Sequence, residues 1–456
     1  MERDARYLTW GGCDAVELAG KYGTPAYIMD EGVIEDRIEQ YLSVAGQVYP
    51  DLRVAYAGKA FLCGMLVQLL EAKGLWLDVV SGGELHLALA AGFDARRVFF
   101  HGNNKSQAEI AYGLESGVGR FVVDNLAELS RLSSQASSRG LPQDVLLRVT
   151  PGISPRTHRA VQTGQVDSKF GLPVTGGAAL AAAKAAIAAP GIRLRGVHLH
   201  IGSQISEVHP FRTAARAAAQ LAWEIWRETG YLPEEVNVGG GWAAGLLPGQ
   251  PLDTIGAYVA AVARSFKAAW RRCGVPGVPL GPADPAVAGA GGRSLPSGSG
   301  RYAWPTLYIE PGRSIVAEAG ITLYTVGAVK PVPGFDAYVL VDGGMNDNPR
   351  PALYGARYHA VLADRPAEPG ERTYTLVGKA CESGDVLIRE LPLPGPAPGD
   401  IVAVFATGAY NHSMASNYNR LERPPVVFVR NGESRLAVRR ETYADMLLTD
   451  MAVKRG

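Results

Sequence analysis

The chain predicts an α/β fold: a (β/α)8 TIM-type barrel, with a second, mostly β C-terminal domain joined by the N-terminal strand. Three observations predict it. Eight short β-type runs, at 53–57, 76–80, 97–100, 120–123, 145–149, 194–200, 235–238 and 306–310, alternate with helical stretches. Such alternation argues for a parallel sheet, and eight repeats are what a barrel needs. Polar residues and glycines sit at the end of nearly every run, whereas an open doubly wound sheet gathers them at one switch point. After about residue 320 the helices mostly stop, and runs 321–329, 337–342, 373–377, 400–405, 425–429 and 435–439 look like strands separated by Pro/Gly turns.

Taken in order, Ala26 to Asp30 reads as a strand after a turn at Gly23-Thr24-Pro25, and it joins the β-rich domain. The barrel spans 35–318, and the second domain spans 319–456 with residues 1–34 contributing. Helices fall at 61–73, 84–91, 107–116, 126–138, 178–188, 211–229 and 255–273. Lys59 follows the first barrel strand; Asp78 and Ser81-Gly82-Gly83-Glu84 the second; His101 to Ser106 the third. Arg148 lies in the fifth, His200-Ile201-Gly202-Ser203 ends the sixth, Gly239-Gly240-Gly241 the seventh, and Glu310-Pro311-Gly312-Arg313 the eighth. In a barrel these converge on the C-terminal mouth. The Pro/Gly/Ala/Ser-rich stretch 275–304 breaks the rhythm and reads as a loop without catalytic residues.

Composition bounds the function. With 456 residues, 47% hydrophobic and 20% charged, the chain suits two globular domains. A net charge of +1 gives no reason to expect nucleic acid or an anionic membrane as partner. The first six residues are charged, unlike a signal peptide, and no apolar run is long enough to span a bilayer. Cys13, Cys63, Cys273 and Cys381 form neither a CxxC pair nor a metal spacing, so a reduced, cytoplasmic setting without a metal is expected.

These strand-end residues meet the requirements of a pyridoxal 5'-phosphate site. Such a site needs a lysine for a Schiff base, a phosphate cradle, a group against the ring face and a partner for the ring nitrogen. Lys59 supplies the first, as a lysine in a desolvated site becomes a nucleophile. Gly239 to Gly241 let backbone amides approach a phosphate, Ser203 and Tyr410 add hydroxyls, His200 can lie flat on the ring, and Glu310 can face the nitrogen. Each motif alone has an ordinary structural reading: a turn, a core histidine, an ion pair, a small buried cysteine. The ordered set carries the inference.

The chain resembles the diaminopimelate decarboxylases, in the alanine-racemase-like group of pyridoxal phosphate enzymes, from Thr24-Pro25 to about Val429. The resemblance rests on Tyr56 to Ala60, Asp78 to Leu85, Lys169-Phe170-Gly171, His198 to Gln204, Glu310 to Arg313, Gly343 to Tyr354, Cys381-Glu382-Ser383-Gly384-Asp385, Gly408-Ala409-Tyr410 and Ser416 to Asn419. It implies that Lys59, His200, Glu310 and Cys381 are catalytic, Cys381 as the proton donor. It implies that Lys59, Asp78, Arg148, His200, Ser203, Gly239, Gly240, Gly241, Glu310, Gly312, Arg313 and Tyr410 hold the cofactor. Arg313, Arg350 and Tyr354 would bind the substrate's distal carboxylate and Glu382 its distal amine, with Tyr410 also among the substrate-binding residues. It also implies a homodimer in which Cys381 and Glu382 reach the partner's site. The chain departs from the family at Lys379, where a proline is usual, at Trp242-Ala243-Ala244-Gly245, at Asn411-His412 and in the longer 275–304 segment.

The implied reaction is decarboxylation of meso-2,6-diaminopimelate to L-lysine, the last step of lysine biosynthesis. Charge agrees: once one amino-acid end is captured, a carboxylate and an ammonium remain for Arg313, Arg350 and Glu382. A decarboxylase of another dicarboxylic or diamino acid is the alternative. A racemase would usually carry arginine rather than Glu310 at the ring nitrogen, and a non-catalytic binding relative would have no need of Lys59 and Cys381.

Overall fold

A computed structural model describes residues 7–154, 163–165, 167–250, 252–274, 278–279 and 302–451. The charged N-terminal six residues and most of the 275–304 stretch therefore lie outside the described residues. The chain divides into two compact units, 39–243 with 252–312, and 1–38 with 244–251 and 313–456.

The first unit is the barrel. Strands β2 (Leu52–Ala57), β3 (Trp76–Val79), β4 (Val98–Phe100), β5 (Arg120–Val123), β6 (Gln143–Thr150), β7 (Ile192–Leu199), β8 (Glu235–Asn237) and β9 (Thr306–Ile309) pair in parallel, each with the next. β9 pairs back onto β2, closing the ring. Inside it Ala55, Trp76, Phe99, Val122, Leu146 and Tyr308 form one buried layer, with ring centroids of Trp76, Phe99 and Tyr308 4.9–5.2 Å apart. Strand side chains alternate, so the residue two positions on faces the same interior. Those positions are Ala57, Asp78, His101, Asp124, Arg148 and Glu310. An apolar floor is thus followed, on the same face and one step nearer the mouth, by a polar ring.

The expected helices are present, with starts set by local chemistry. Ser81 caps Gly82–Ala90, accepting the Glu84 N–H at 3.2 Å while Glu84 accepts the Val80 N–H at 2.7 Å. The Ser81-Gly82-Gly83-Glu84 run is therefore a helix start of the capping type. Helix Glu31–Val48 is an addition to the sequence expectations. Its apolar residues Ile34, Ile38, Tyr41 and Ala45 recur at helical spacing and are all buried.

The second unit is β-rich. Strand β1 (Ala26–Asp30) lies between β10 (Gly320–Lys330), antiparallel, and β16 (Val426–Arg430), parallel. This is the predicted joining of the N-terminal strand. β10 also pairs with β11 (Ala337–Val341) and β15 (Ile401–Phe405). Strands β12 (Ala360–Leu362) and β14 (Val386–Leu393) are not expected from the sequence; among the described residues each pairs with a single neighbour, β15 and β13 (Arg372–Val377) respectively. Among the described residues no helix is long and apolar enough to cross a membrane.

Candidate active site

In the barrel unit, the second residue after β2 meets the polar ring. Lys59 Nζ donates to Asp78 Oδ2 at 2.8 Å; the lysine side chain is 37% exposed and the aspartate wholly buried. This corrects the expectation of a desolvated amine. The barrel solves the charge problem by pairing, so the lysine remains reachable.

Glu310 is the hub of the ring. Its Oε1 is 3.0 Å from His101 Nε2 and 2.8 Å from Asn237 Nδ2, and its Oε2 is 3.0 Å from His198 Nε2. Although burial opposes its charge, His101 and His198, through their hydrogen bonds, hold the carboxyl well below the usual range. A carboxylate has about four lone-pair sites, so three contacts leave one for a further donor. His198 is pushed down to about 4 by burial, against the pull of Glu310, and is neutral near pH 7. The sequence reading assigns no role to His101, His198 or Asn237. The available signal is position: His101 lies two residues beyond the apolar layer.

His200 follows β7. Its Nδ1 lies 3.2 Å from the Gly240 N–H, which makes Nδ1 an acceptor and leaves the proton on Nε2. Burial, then the charges of Lys59 and Arg148, drives its pKa well below the ordinary value. Arg148 is lowered by burial too; it stacks 4.4 Å from the Phe170 ring and lies 3.9 Å from Asp124. Ser203 follows on the same loop, half-buried.

The glycine triplet allows contacts no other residue could. A Cβ on Gly240 would collide with the Glu310 carbonyl, and one on Gly241 with the Gly202 carbonyl. Gly239 donates to Asn237 Oδ1 at 2.9 Å and Gly240 to His200, so these two amides are already used. Among the described residues, the amides of Gly241 and Gly312 donate to no protein acceptor. They are the ones left for a phosphate. Trp242, the unusual residue after the triplet, is buried and stacks on Tyr258 at 5.1 Å.

The β-rich unit carries the remaining residues. Arg313 and Arg350 are each 5% exposed. Their guanidinium groups lie 4.5 and 5.5 Å from the Tyr410 ring, and Arg350 lies 5.2 Å from Tyr354. Burial and the like charge of Arg350 pull Arg313 down to about 10. The Arg350 Nε is buried with no hydrogen-bond partner among the described residues. Tyr410 has φ 61°, a left-handed conformation costly for a bulky residue. Cys381 is exposed and unpaired by any disulfide, and Glu382 is exposed beside it. These contacts bring together Lys59 with Asp78, and Glu310, Gly240 and His200, in the barrel unit, and Arg313, Arg350, Tyr354 and Tyr410 in the β-rich unit; none of them includes Cys381 or Glu382.

Residues 35–275 match the family model "Pyridoxal-dependent decarboxylase, pyridoxal binding domain". The chain is 44% identical to a diaminopimelate decarboxylase of Bacillus subtilis over 99% of its length and 96% of the relative's. It is 43% identical to that of Halalkalibacterium halodurans, covering 98% and 95%.

The chain belongs to the diaminopimelate decarboxylases.

A crystal structure of the family from M. jannaschii, in complex with L-lysine, superposes with a TM-score of 0.85 at 32% identity, covering 99% of this chain and 97% of the other. The chain is accordingly a pyridoxal-dependent decarboxylase. Its residues fit the cofactor: a reachable lysine, a carboxylate with one acceptor site open, and two amides beside a glycine cradle.

Proposed function

We propose that the chain releases carbon dioxide from meso-2,6-diaminopimelate to give L-lysine, the last step of lysine biosynthesis, and that its site residues act as follows. The observation that supports this substrate best is the buried Arg313–Arg350 pair around Tyr410, with the Arg350 Nε lacking a protein acceptor among the described residues. Two like charges in one apolar surrounding favour an anion, and a planar guanidinium suits a carboxylate.

Bound pyridoxal phosphate supplies an aldehyde for an amine and a conjugated ring that accepts an electron pair. The Lys59 amine, oriented by Asp78, would hold it. Glu310, held ionised by His101 and His198, would offer its open acceptor site to the ring nitrogen. Neutral His200, with its tautomer set by Gly240, would lie against the ring without adding charge. Gly241 and Gly312 would offer amides, and Ser203 and Tyr410 hydroxyls, to the phosphate, and Arg148 would be among the residues that hold the cofactor. Arg313, Arg350, Tyr354 and Tyr410 receive the substrate's distal carboxylate, Glu382 its distal ammonium. Cys381 gives up its thiol proton to the carbon that carbon dioxide has left.

The reading includes a homodimer in which Cys381 and Glu382 serve the partner's site, and a cytoplasmic setting consistent with four free cysteines. The test is carbon dioxide release from meso-diaminopimelate, its LL and DD isomers, ornithine and lysine. Turnover of the meso isomer at least about a hundredfold above ornithine is expected, since a site built for a polar group rejects an analogue lacking it. Preferred turnover of ornithine or lysine would overturn the proposal.

A further inference from the structure

Three loop segments of the β-rich unit meet around one buried carboxylate that has no role in the scheme above. Asp385 is 3% exposed. Its Oδ1 accepts the Met345 N–H at 2.7 Å and its Oδ2 the Ala380 N–H at 2.8 Å. Its carbonyl accepts the Gly378 N–H at 3.1 Å, and the Lys379 N–H donates to the Gly343 carbonyl at 2.9 Å. Hydrogen is the only side chain tolerated on either flank, because a Cβ on Gly344 or Gly378 would run into the Asp385 carboxylate. The third segment adds Asn419, whose Oδ1 accepts the Cys381 N–H at 2.7 Å. Asn419 has φ 53°, a left-handed conformation that asparagine tolerates better than most residues. The Ser416 N–H ties this segment to the first, donating to the Asn346 carbonyl at 2.8 Å.

We propose that Asp385 and Asn419 are positioning residues that hold the Cys381–Glu382 turn in its working geometry by clasping it to segments 343–346 and 416–419. The inference rests on the roles given above to Cys381 and Glu382. Chemistry explains why a carboxylate is required. Both oxygens of Asp385 face N–H groups, so an asparagine in its place would turn an NH2 toward one of them, and a glutamate would not fit between the two glycines. Hydrogen bonds to an ionised acceptor are roughly twice as strong as neutral ones. The Lys379 N–H adds a further stitch to the Gly343 carbonyl.

The experiment compares Asn419→Ala, Asn419→Asp, Asp385→Asn and Cys381→Ala holoenzymes for kcat and KM with meso-diaminopimelate, cofactor absorbance and Tm. Because an error of about 1 Å at a reacting group costs about a hundredfold, Asp385→Asn should lower kcat by roughly that factor and Asn419→Ala by about tenfold, both with cofactor absorbance intact. Asn419→Asp keeps the acceptor and should stay within about threefold of wild type. A purely structural role would lower Tm but leave kcat per folded site unchanged, and would overturn the proposal; so would equal kcat for Asn419→Ala and Asn419→Asp. If Asp385→Asn does not fold, the Asn419 pair decides. Should Cys381→Ala keep full kcat, the reading of Cys381 fails. Should it be slow while the Asp385 and Asn419 variants are not, only the positioning inference fails.

Discussion

At Lys59 two needs are reconciled: a charge close to a buried ring of polar residues, and access from outside. Asp78 meets the first, and the half-open position after β2 the second. Lys59→Ala should abolish turnover, and borohydride reduction of wild type followed by peptide mapping should tag Lys59; a tag on another lysine would refute the assignment. Arg350→Ala should raise KM by roughly 30-fold or more with cofactor absorbance unchanged, since truncating one partner of a buried charge pair costs about 2–5 kcal/mol. His412 concerns stability. Burial pushes it down to about 4, so in acid the unfolded chain binds a proton that the folded chain refuses. Its penalty is absent above about pH 6.5 and grows as pH falls toward 4, reaching roughly 2 kcal/mol near pH 5. His412→Phe should therefore show a shallower fall of Tm between pH 6.5 and 4 than wild type. Equal slopes would contradict this. The residue scale is also where sequence reading stops short. Glu310 is identifiable at a strand end, but the three groups that hydrogen-bond it are 209, 112 and 73 positions away. Only barrel closure brings them together.

Elements are more legible than contacts. The barrel strands show themselves as short buried runs because both faces are covered. β14 escapes notice because its pattern is broken: Pro392 and Glu390, the latter at φ 53°, interrupt the alternation, and among the described residues it pairs with β13 alone. The Ser81-Gly82-Gly83-Glu84 run is legible as a feature, but its chemistry is that of a helix start. At β8 the glycines matter as packing rather than flexibility. Gly240→Ala must push the chain away from the Glu310 carbonyl and disturb the amide held by His200. The expected result is a cofactor dissociation constant raised at least about tenfold, from roughly 1.4 kcal/mol of lost fit, measured by absorbance titration. Unchanged affinity would remove the triplet from the cofactor site.

For the whole molecule, the proposed sharing of sites makes a quantitative demand. Lys59→Ala and Cys381→Ala dimers should each be inactive or very slow. After subunit exchange with random pairing, half the dimers are mixed and each mixed dimer has one intact site, so activity should return to roughly one quarter of wild type. No return, with exchange verified by differently tagged chains, would show that both residues come from one chain. Fold class is readable here because the strand–helix rhythm is long-range and redundant, while the assignment of Cys381 across an interface rests on family resemblance.

The placement of β1 has a consequence in time. Ala26–Asp30 leaves the ribosome early, yet its antiparallel neighbour begins at Gly320 and its parallel neighbour at Val426. At about 5–20 residues per second, an interval of roughly 15–60 s separates the strand from its first partner. Throughout that interval an apolar strand, four of whose five residues are buried in the finished fold, has both edges open. The barrel can close meanwhile, but this early-made strand must wait for the last-made third of the chain. Yield during synthesis should thus depend on what shields residues 26–30 in the interim, more than on the stability of the completed protein.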